Sequence, residues 1–586
     1  MIRFLCLFLL ACAALPGGTA AADTIAWQPW SDAVFERARR ENRLVLLDLE
    51  AIWCHWCHVM DGTTYRDARI VKLIAERYIA VKVDQDSHPE LSRRYEEYGW
   101  PATVVFTAGG KEIAKRRGYL DPEVMLSYLE HIVRDPSPVR YRDSEPVREF
   151  TSSPLLAPEV RAELEKRHLD AHDRRRGGFD AEHKFLDRDT VEYQLFRARE
   201  DDAPAARMAR QTLDGALALI DPAWGGMYQY STHRDWRHPH FEKIMQIQAD
   251  ALRLYALASV QFKAPKYRAA AERIRGYAAR FLTSPDGAFY TSQDADLVKG
   301  EHSAAYFALG DAARLKRGIP AVDRNVYARE NGWMIHALAT LHAATGDQPS
   351  LDLALRAARQ VIERRGLPDG GFRHGERDNG GPFLEDTLAM GRAFLALYQA
   401  TGEREWLQRA ESSAGFIERR FRGEPGYLSV PPRAGAVLEP RPQLDENIAV
   451  ARFANLLAHH TGNARYRAQA EHAMRLLATA AIALQRRTDP GILLIARELA
   501  ADPAHLTVVG AKSDPAAQAL YRAALARPGV YRRLEWWDAT EGPLPNPDVR
   551  YPQLERAAAF VCADRACSLP LFTAADLARF PERLTR

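Results

Sequence analysis

The chain has 586 residues, of which 47% are hydrophobic and 27% charged, and its formal net charge is +3. This length exceeds what one hydrophobic core normally serves, so about two to four domains are expected. A charge so close to neutral excludes functions that depend on a strongly basic or acidic surface, such as nucleic-acid binding.

Residues 1–22 are typical of a secretory signal peptide. Arg3 provides a positive start, residues 4–15 are apolar, and the small residues 20–22 precede the expected mature start at Asp23. No later run of about 18 uninterrupted apolar residues follows, which predicts no membrane span. We therefore expect an exported protein, placed in a bacterial periplasm, with lipid anchoring at Cys12 as a minor alternative.

The cysteines are few and paired. Two of the six lie in the expected signal peptide, and four remain as the close pairs Cys54/Cys57 and Cys562/Cys567. Sparse, paired use in an exported chain favours redox or bridging chemistry over a disulfide-dense scaffold.

The first domain, residues 23–137, alternates short apolar runs with helical patterns, which predicts an α/β sheet. The predicted strands are 44–49, 79–84, 102–106 and one near Ile113, and the predicted helices are 59–78 and 89–98. The run WCHWCH (residues 53–58) therefore lies between a strand and a helix.

That position favours a reactive thiol at Cys54. The unpaired N–H groups and the positive dipole end of a helix N-terminus stabilise a thiolate and lower the pKa of the first cysteine. Cys54 is then the attacking nucleophile, and Cys57, one turn later, resolves the mixed disulfide. His55 and His58, when protonated, would favour the thiolate further.

Residues 44–118 resemble thioredoxin. The resemblance rests on Trp53 before the first cysteine, an acid six residues before that cysteine, the run VKVDQD (81–86) and the run WPAT (100–103). It implies catalytic roles for Cys54, Cys57, Asp48 and Pro101, with a cis peptide bond before that proline. It also implies substrate contacts from three tryptophans, Trp53, Trp56 and Trp100. Packing alone is an equally good interpretation of Trp56.

The motif CHWCHVM (residues 54–60) is similar to that of the spermatogenesis-associated protein 20 family, in which a thioredoxin-like domain precedes a helical barrel. His55-Trp56 stands where thioredoxin has Gly-Pro, so the redox potential and the direction of electron flow stay open.

Two other interpretations of the motif remain. Its CxxCH spacing also fits covalent haem c attachment, and its cysteines and histidines also suit zinc or copper. The apolar strand before it and the WPAT run after it favour redox chemistry. We therefore expect no cofactor and no metal, and a protein thiol or disulfide as client.

Residues 138–490 are mostly helical and repetitive. The turns TGD (345–347), TGE (401–403) and TGN (461–463) and a series of Gly-aromatic loops recur about 50 to 60 residues apart, which indicates a toroid of helical hairpins. The resemblance implies a closed (α/α)6 barrel like that of N-acylglucosamine 2-epimerase.

Four runs in this barrel look like family signatures: WRHPHFEK (236–243), QDAD (293–296), NGWMI (331–335) and LED (384–386). Aromatic, acidic and histidine side chains around a cup suit a carbohydrate ligand. The candidate binding residues are His240, Glu242, Asp294, Trp333, Asp386 and Asp445. The alternative interpretation is structural: the acids stabilise helix N-termini, and the tryptophan fills the core. LED replaces two aspartates usual in the family, and the run DEN (445–447) lacks the usual Pro-Ser-Gly that follows, so catalysis by the barrel stays open.

Residues 491–586 predict a small α/β lobe with strands at 506–510 and 557–562 and a helix at 514–526. Cys562 and Cys567 are close enough for a local disulfide, which either pins a loop or relays electrons to Cys54/Cys57. Two functions thus remain: an exported thiol–disulfide oxidoreductase, or a sugar-binding or sugar-isomerising barrel with a redox-regulatory or non-catalytic thioredoxin module.

Overall fold

The computed structural model describes residues 24–139, 147, 149–377, 380–563 and 566–581. The expected signal peptide and the alternative anchor at Cys12 lie outside these residues. Within them, none of the helices has the length and apolar character needed to cross a membrane.

The N-terminal domain is a four-stranded sheet with helices on both faces. Its elements are α1 (Asp32–Glu41), β1 (Leu44–Glu50), α2 (His55–Gly62), α3 (Ala68–Arg77), β2 (Tyr78–Asp84), α4 (Pro89–Tyr95), β3 (Ala102–Phe106), β4 (Glu112–Arg117) and α5 (Pro122–Arg134). The strand order is β2-β1-β3-β4, with β1 parallel to β2 and antiparallel to β3. Because β1 is a central strand, its side chains contribute to two cores, which explains why its run from Leu44 to Leu47 is continuously apolar and not alternating.

The predicted helix 59–78 is wrong in its extent, because two helices occupy this stretch. Helix α2 ends at Gly62, and Thr63 leaves the helical region with φ −121°. Helix α3 starts afresh where the Asp67 carboxylate accepts the N–H of Arg69 at 2.9 Å, an N-cap that the continuous helical pattern concealed.

The middle region is a closed ring of helical hairpins. Its long helices are α6 (Pro158–Asp170), α7 (Arg188–Ala198), α8 (Ala203–Ala216), α9 (Met245–Gln261), α10 (Pro265–Phe281), α13 (Ala328–Thr345), α14 (Gln348–Arg365), α15 (Leu384–Thr401), α16 (Arg404–Phe421), α17 (Leu444–Thr461), α18 (Ala464–Leu477) and α20 (Pro490–Ala500). Its short elements are β5 (Tyr230–Ser231), β6 (Pro239–His240), β7 (Lys243–Ile244), β8 (Ser292–Gln293), α11 (Ala304–Phe307), α12 (Asp311–Arg317), β9 (Val322–Asp323) and α19 (Ala480–Ala483).

Six of these helices, α7, α9, α13, α15, α17 and α20, pack side by side in that order, and α20 closes the ring against α7. The other long helices lie outside, and α6 pairs with α20, so the first and last helices of the region complete one hairpin. This is the expected (α/α)6 toroid. Gly346, Gly402 and Gly462 end three inner helices in the left-handed conformation, as predicted from the TGD, TGE and TGN turns.

A repeated clamp joins the inner helices to the Gly-aromatic loops. In four consecutive inner helices the fourth residue is polar and bonds the backbone of the loop that precedes the helix: Gln248, Asn331, Thr387 and Asn447. Asn331, for example, accepts the N–H of Phe289 at 2.7 Å and donates to its carbonyl at 3.0 Å. The clamps fix the loops at the end of the toroid where the inner helices begin.

The C-terminal lobe packs on the other end of the toroid. It contains β10 (Ala504–Val509), α21 (Pro515–Leu525), β11 (Arg532–Trp537), β12 (Ala558–Ala563), β13 (Ala566–Cys567) and α22 (Ala574–Arg579), with strand order β11-β10-β12-β13. Lys512 Nζ donates to the carbonyl of Gly402 at 2.9 Å, where α15 ends. The N-terminal domain and this lobe therefore lie at opposite ends of the toroid.

We expect Asn331→Ala to destabilise the toroid by about 2–4 kcal/mol, because it leaves the buried N–H and carbonyl of Phe289 without partners. Gln348→Ala is the matched control, since Gln348 is exposed and its loss should change stability by less than about 0.5 kcal/mol. Melting temperatures of the two variants test this, and equal values would contradict the clamp.

Candidate redox site

The Cys54–Cys57 pair forms a disulfide at the start of α2, with a Cα–Cα distance of 5.3 Å. Cys54 is the N-cap residue of that helix, and its Sγ accepts the N–H of Cys57 at 3.2 Å. The Trp100–Pro101 peptide bond is cis, as predicted. The strand, the cap and the proline thus place the sulfur atoms at the positive end of a helix.

The toroid covers the disulfide. Cys54 and Cys57 are 4% and 2% exposed and share an apolar cluster with Trp53 and with Ile244 and Ile247 of the toroid. The N–H of Ala295 also donates to the carbonyl of Trp53 at 3.3 Å. A macromolecular client therefore reaches these sulfur atoms only when the two domains separate.

Trp56 is the exception in this buried site. Its side chain is 42% exposed and its ring lies 5.6 Å from that of Tyr119, so it covers the outer side of the N-terminal domain. Trp56 is therefore much more exposed than the two cysteines beside it.

Asp296 of the toroid holds both histidines of the motif. Its two carboxylate oxygens lie 2.8 Å from His55 Nδ1 and 3.1 Å from His58 Nδ1. The other nitrogen of His58 lies 3.0 Å from the carbonyl of Ile52, and the N–H of Gly300 donates to Asp296 at 2.8 Å. One carboxylate therefore locks both sides of the redox helix to the toroid.

We call the cluster of Asp296, His55 and His58 the lock, and its charges stabilise each other. The hydrogen bond that Asp296 accepts from His55 raises the pKa of His55. Burial alone would lower the pKa of His58, but the bond to Asp296 and the nearby Asp294 outweigh it and raise that pKa too. Burial would likewise raise the pKa of Asp296, yet its bonds to the two histidines hold it at about 2. Asp294 has no such bond on its Oδ2, and burial raises its pKa to about 6.

Two further predicted pocket residues lie beside this lock. Glu242 is buried, one of its carboxylate oxygens has no hydrogen-bond partner among the described residues, and its charge contributes to the raised pKa of His55. His240 lies 3.7 Å from Glu242 and stacks on Tyr230 with ring centroids 4.3 Å apart. The ring of His302 lies 5.8 Å from that of His55.

A second set of ion pairs extends the domain interface. Trp53 Nε1 donates to Asp86 at 2.7 Å, and Arg329 of the toroid lies 3.7 Å from the same carboxylate. Arg329 also pairs with Glu385 at 3.2 Å, and Glu385 pairs with Arg93 of the N-terminal domain. The first turns of α13 and α15 thus form the seat of the N-terminal domain.

Asp386, Trp333 and Asp445 contact residues other than those of the redox motif. Asp386 accepts from His374 Nδ1 and from the N–H of Arg329, both at 2.9 Å. Trp333 lies under the Arg329 guanidinium, 4.9 Å from it, and Asp445 pairs with Arg486 at 2.7 Å. The structure therefore divides the predicted pocket: Asp294, Glu242 and His240 lie by the cysteines, and the other three do not.

Asp48 lies within the sheet, as a residue of the central strand β1. It is buried, and burial raises the pKa of its carboxyl although Lys82 Nζ lies only 3.0 Å away. Its second oxygen has no hydrogen-bond partner among the described residues. A buried carboxyl with a raised pKa keeps its proton to higher pH than an exposed one does.

Asp296 and His302 are the site residues that the sequence interpretation did not select. The QDAD run that looks like a family signature contains Asp296, but the candidate binding residues include only its Asp294. His302 lies in no recognised motif. The sequence feature that could have indicated Asp296 is its spacing from Asp294, which places both aspartates on one turn that faces α2.

His58, Asp294 and Asp296 also offer ligand atoms within 4.8 Å of one another, as a metal site requires. However, Nδ1 of His58 is already bonded to Asp296, and Nε2 to the carbonyl of Ile52. The donor set is therefore used by ion pairs and hydrogen bonds, and it fits a lock better than a metal centre.

The second cysteine pair lies far from the first. Cys562 and Cys567 form a disulfide between neighbouring strands of the C-terminal lobe. The toroid separates this lobe from the N-terminal domain, and an inner helix of 18 residues alone spans about 27 Å at 1.5 Å per residue. This separation supports a bridge over an electron relay within one chain.

Comparison with protein families identifies the N-terminal part. Residues 18–131 match the family model Thioredox_DsbH, described as "Protein of unknown function, DUF255". The thiol:disulfide interchange protein DsbD of Campylobacter jejuni (strain RM1221) is 28% identical over 103 residues, which cover 16% of this chain and 18% of that protein. The thioredoxin-like character of this domain is thereby confirmed.

Human spermatogenesis-associated protein 20 is 28% identical over 313 residues, which cover 47% of this chain and 39% of the human protein. The predicted resemblance to that family is confirmed, and the match spans well under half of the relative's length. Among solved structures, cellobiose 2-epimerase of Bacillus thermoamylovorans is 11% identical with a TM-score of 0.43, covering 54% of this chain and 86% of that one.

We expect Asp296→Asn to release the lock, because it removes the charge that both histidines face. Hydrogen–deuterium exchange over residues 51–62 should become at least about tenfold faster, while the outer helix α14 stays unchanged. Asp235→Asn is the matched control, since Asp235 forms a partly exposed pair with His238 at 2.9 Å. Equal exchange in the two variants would show that Asp296 does not hold the domains together.

The lock should also weaken as pH rises. His55 and His58 have raised pKa values in the folded chain, so their stabilising contribution is complete below about 6.5 and is lost as pH passes their folded pKa values. The ratio of exchange rates between Asp296→Asn and wild type should therefore fall towards one from pH 6 to pH 9. A constant ratio would contradict charged histidines in the interface.

Proposed function

We propose that this chain is an exported thiol–disulfide oxidoreductase that exchanges disulfides with a protein client through Cys54 and Cys57. The observation that carries the proposal is the disulfide at the N-cap of α2, whose Sγ accepts a backbone N–H. Thiolates at such a position are stabilised and reactive. An oxidising compartment such as the periplasm would supply disulfide-bonded clients.

One round of exchange uses the two cysteines and the client disulfide, and turnover also needs an external dithiol. The Cys54 thiolate attacks one sulfur of the client disulfide, which forms a mixed disulfide and releases one client thiolate. The Cys57 thiolate then attacks Cys54 Sγ, restores the Cys54–Cys57 bond and releases the second client thiolate. An external dithiol reduces the pair again for the next cycle, and the reverse sequence oxidises a client.

Asp48 is proposed to manage the proton of Cys57. A resolving thiol must lose its proton before it attacks, and a buried carboxylate whose pKa is raised is a better proton acceptor than an exposed one. His55 and His58, charged by their contacts with Asp296, are proposed to stabilise the Cys54 thiolate while the domains are docked.

The toroid is proposed to control access to the disulfide. It covers both sulfur atoms, so a protein client must displace it, and Trp56 is the exposed aromatic that a client meets first. A carbohydrate at the mouth of the toroid would meet the same obstacle, because Arg329 and Glu385 at that mouth hold the N-terminal domain. Ligand binding there would therefore compete with docking.

Insulin reduction with dithiothreitol tests the proposal. We expect Cys54→Ser to reduce the rate to the uncatalysed level, because the nucleophile is lost, and Cys57→Ser to accumulate a mixed disulfide with insulin. The matched control is the double variant Cys562→Ser and Cys567→Ser, which keeps the first pair and should retain the wild-type rate. A Cys54→Ser rate equal to wild type would overturn the proposal and leave the toroid as the active part.

A further inference from the structure

A belt of basic side chains lines the lumen of the toroid, halfway along the inner helices. In four consecutive inner helices, α9, α13, α15 and α17, the ninth residue is basic: Arg253, His336, Arg392 and Arg452. Since the helices start at one level and pack side by side, equivalent positions lie at one depth in the ring. The repeat therefore brings four basic groups together at one depth in the lumen.

These four residues line a cavity of about 110 Å³. Residues of the C-terminal lobe, among them Tyr531 and Arg532, also line it. The rest of the lining comes from the inner helices and includes the acid Glu498 and the aromatic Phe453. The predicted carbohydrate residues at the other end of the toroid do not line this cavity. It is a separate site.

The acids near the belt form their ion pairs with arginines other than Arg392. Glu192 pairs with both Arg253 and Arg452, and Glu498 pairs with Arg452 at 2.9 Å. Asp189 and Asp250 raise the pKa of Arg392 through their charges, but their ion pairs are with Arg188. Arg392 makes no hydrogen bond and no ion pair within the part of the chain that the structure describes.

Several donors in the belt are correspondingly unused. Arg253 is 8% exposed, and its Nε has no hydrogen-bond partner among the described residues. Burial, followed by the charges of Arg188 and Arg452, lowers the pKa of Arg392 to about 9, and burial with the neighbouring arginines lowers that of His336. The charges of Asp189 and Asp250 offset part of the burial of Arg392. Guanidinium donors without hydrogen-bond partners are nevertheless unfavourable in a buried cavity, and an added anion would use them.

We propose that this belt binds a small oxyanion, the phosphate or carboxylate group of a low-molecular-weight ligand, with Arg392 as its main contact. A guanidinium matches the two oxygens of such a group in a bidentate geometry, and Arg253 Nε supplies a further donor. A volume of about 110 Å³ is small against the roughly 300–1,000 Å³ of pockets for drug-sized ligands, so it suits one anionic group and not an oligosaccharide.

The proposal does not depend on the redox site. The belt lies deep in the lumen, and the disulfide lies at the mouth where the inner helices begin. A Cys54→Ser protein should therefore bind the anion as the wild type does, and failure of either proposal leaves the other standing.

Titration calorimetry of the full chain with inorganic phosphate and with D-glucuronate, at constant ionic strength set by sodium chloride, tests the proposal. We expect one anion bound per chain. Arg392→Met should weaken binding by about tenfold to a hundredfold, because a charge-assisted hydrogen-bond pair is lost. Arg359→Met is the matched control, since Arg359 is exposed on the outer helix α14 and should bind the anion like wild type.

Each outcome decides something. Binding of phosphate alone assigns a phosphoryl ligand, glucuronate alone a carboxylate, and both a general oxyanion site. No binding of either anion to the wild-type chain overturns the proposal, as does unchanged affinity in Arg392→Met. Melting temperatures in sodium chloride distinguish an anion-binding arginine from a structural one. If Arg392 serves to bind an anion, Arg392→Met should melt at the wild-type temperature or above it. If Arg392 stabilises the fold, the variant should melt at a lower temperature.

Discussion

The structure depends on charges that are buried between two domains. Asp296 comes from the toroid and its two histidine partners come from the redox helix. Each of these groups would be unfavourable in an apolar interface alone, and they are stable there only together. Because the partners belong to different domains, the electrostatic environment of the Cys54–Cys57 pair is a property of the docked chain. Separating the domains changes the solvent access of the sulfur atoms and the charge of the histidines beside them in one step.

Local rules predicted much of the N-terminal domain and of the hairpin repeat. The apolar run of β1, the cysteine at an N-cap, the proline of the WPAT run and the three C-cap glycines each follow from a few neighbouring residues. The break between α2 and α3 escaped because the helical pattern runs through it, and only the Asp67 cap marks the new start. The lock could not be predicted from local rules, since Asp296 lies 241 residues from His55 along the chain.

The signature runs of the toroid also gain a physical explanation. They were interpreted as a carbohydrate pocket, yet Asp294 lies against the redox helix and Glu385 pairs with Arg93 of the N-terminal domain. A run that forms a domain interface and one that binds a ligand share composition, because both need polar groups at the mouth of the ring. Only the position of the partner distinguishes them, and that position requires the whole fold.

The acids and the arginines of the toroid differ in what stabilises their charges. Glu330, Glu385 and Asp386 lie in the first turns of inner helices, where the positive end of the helix dipole and free N–H groups stabilise negative charge. Such acids need no ligand. Arg392 is nine residues into its helix, far from either terminus, so no helix end stabilises or opposes its charge. A lumen arginine at that depth depends on charges from elsewhere, and Asp189 and Asp250 supply part of them. Those acids form their ion pairs with Arg188, and the two nearby glutamates pair with Arg253 and Arg452, so among the described residues the donors of Arg392 stay unused.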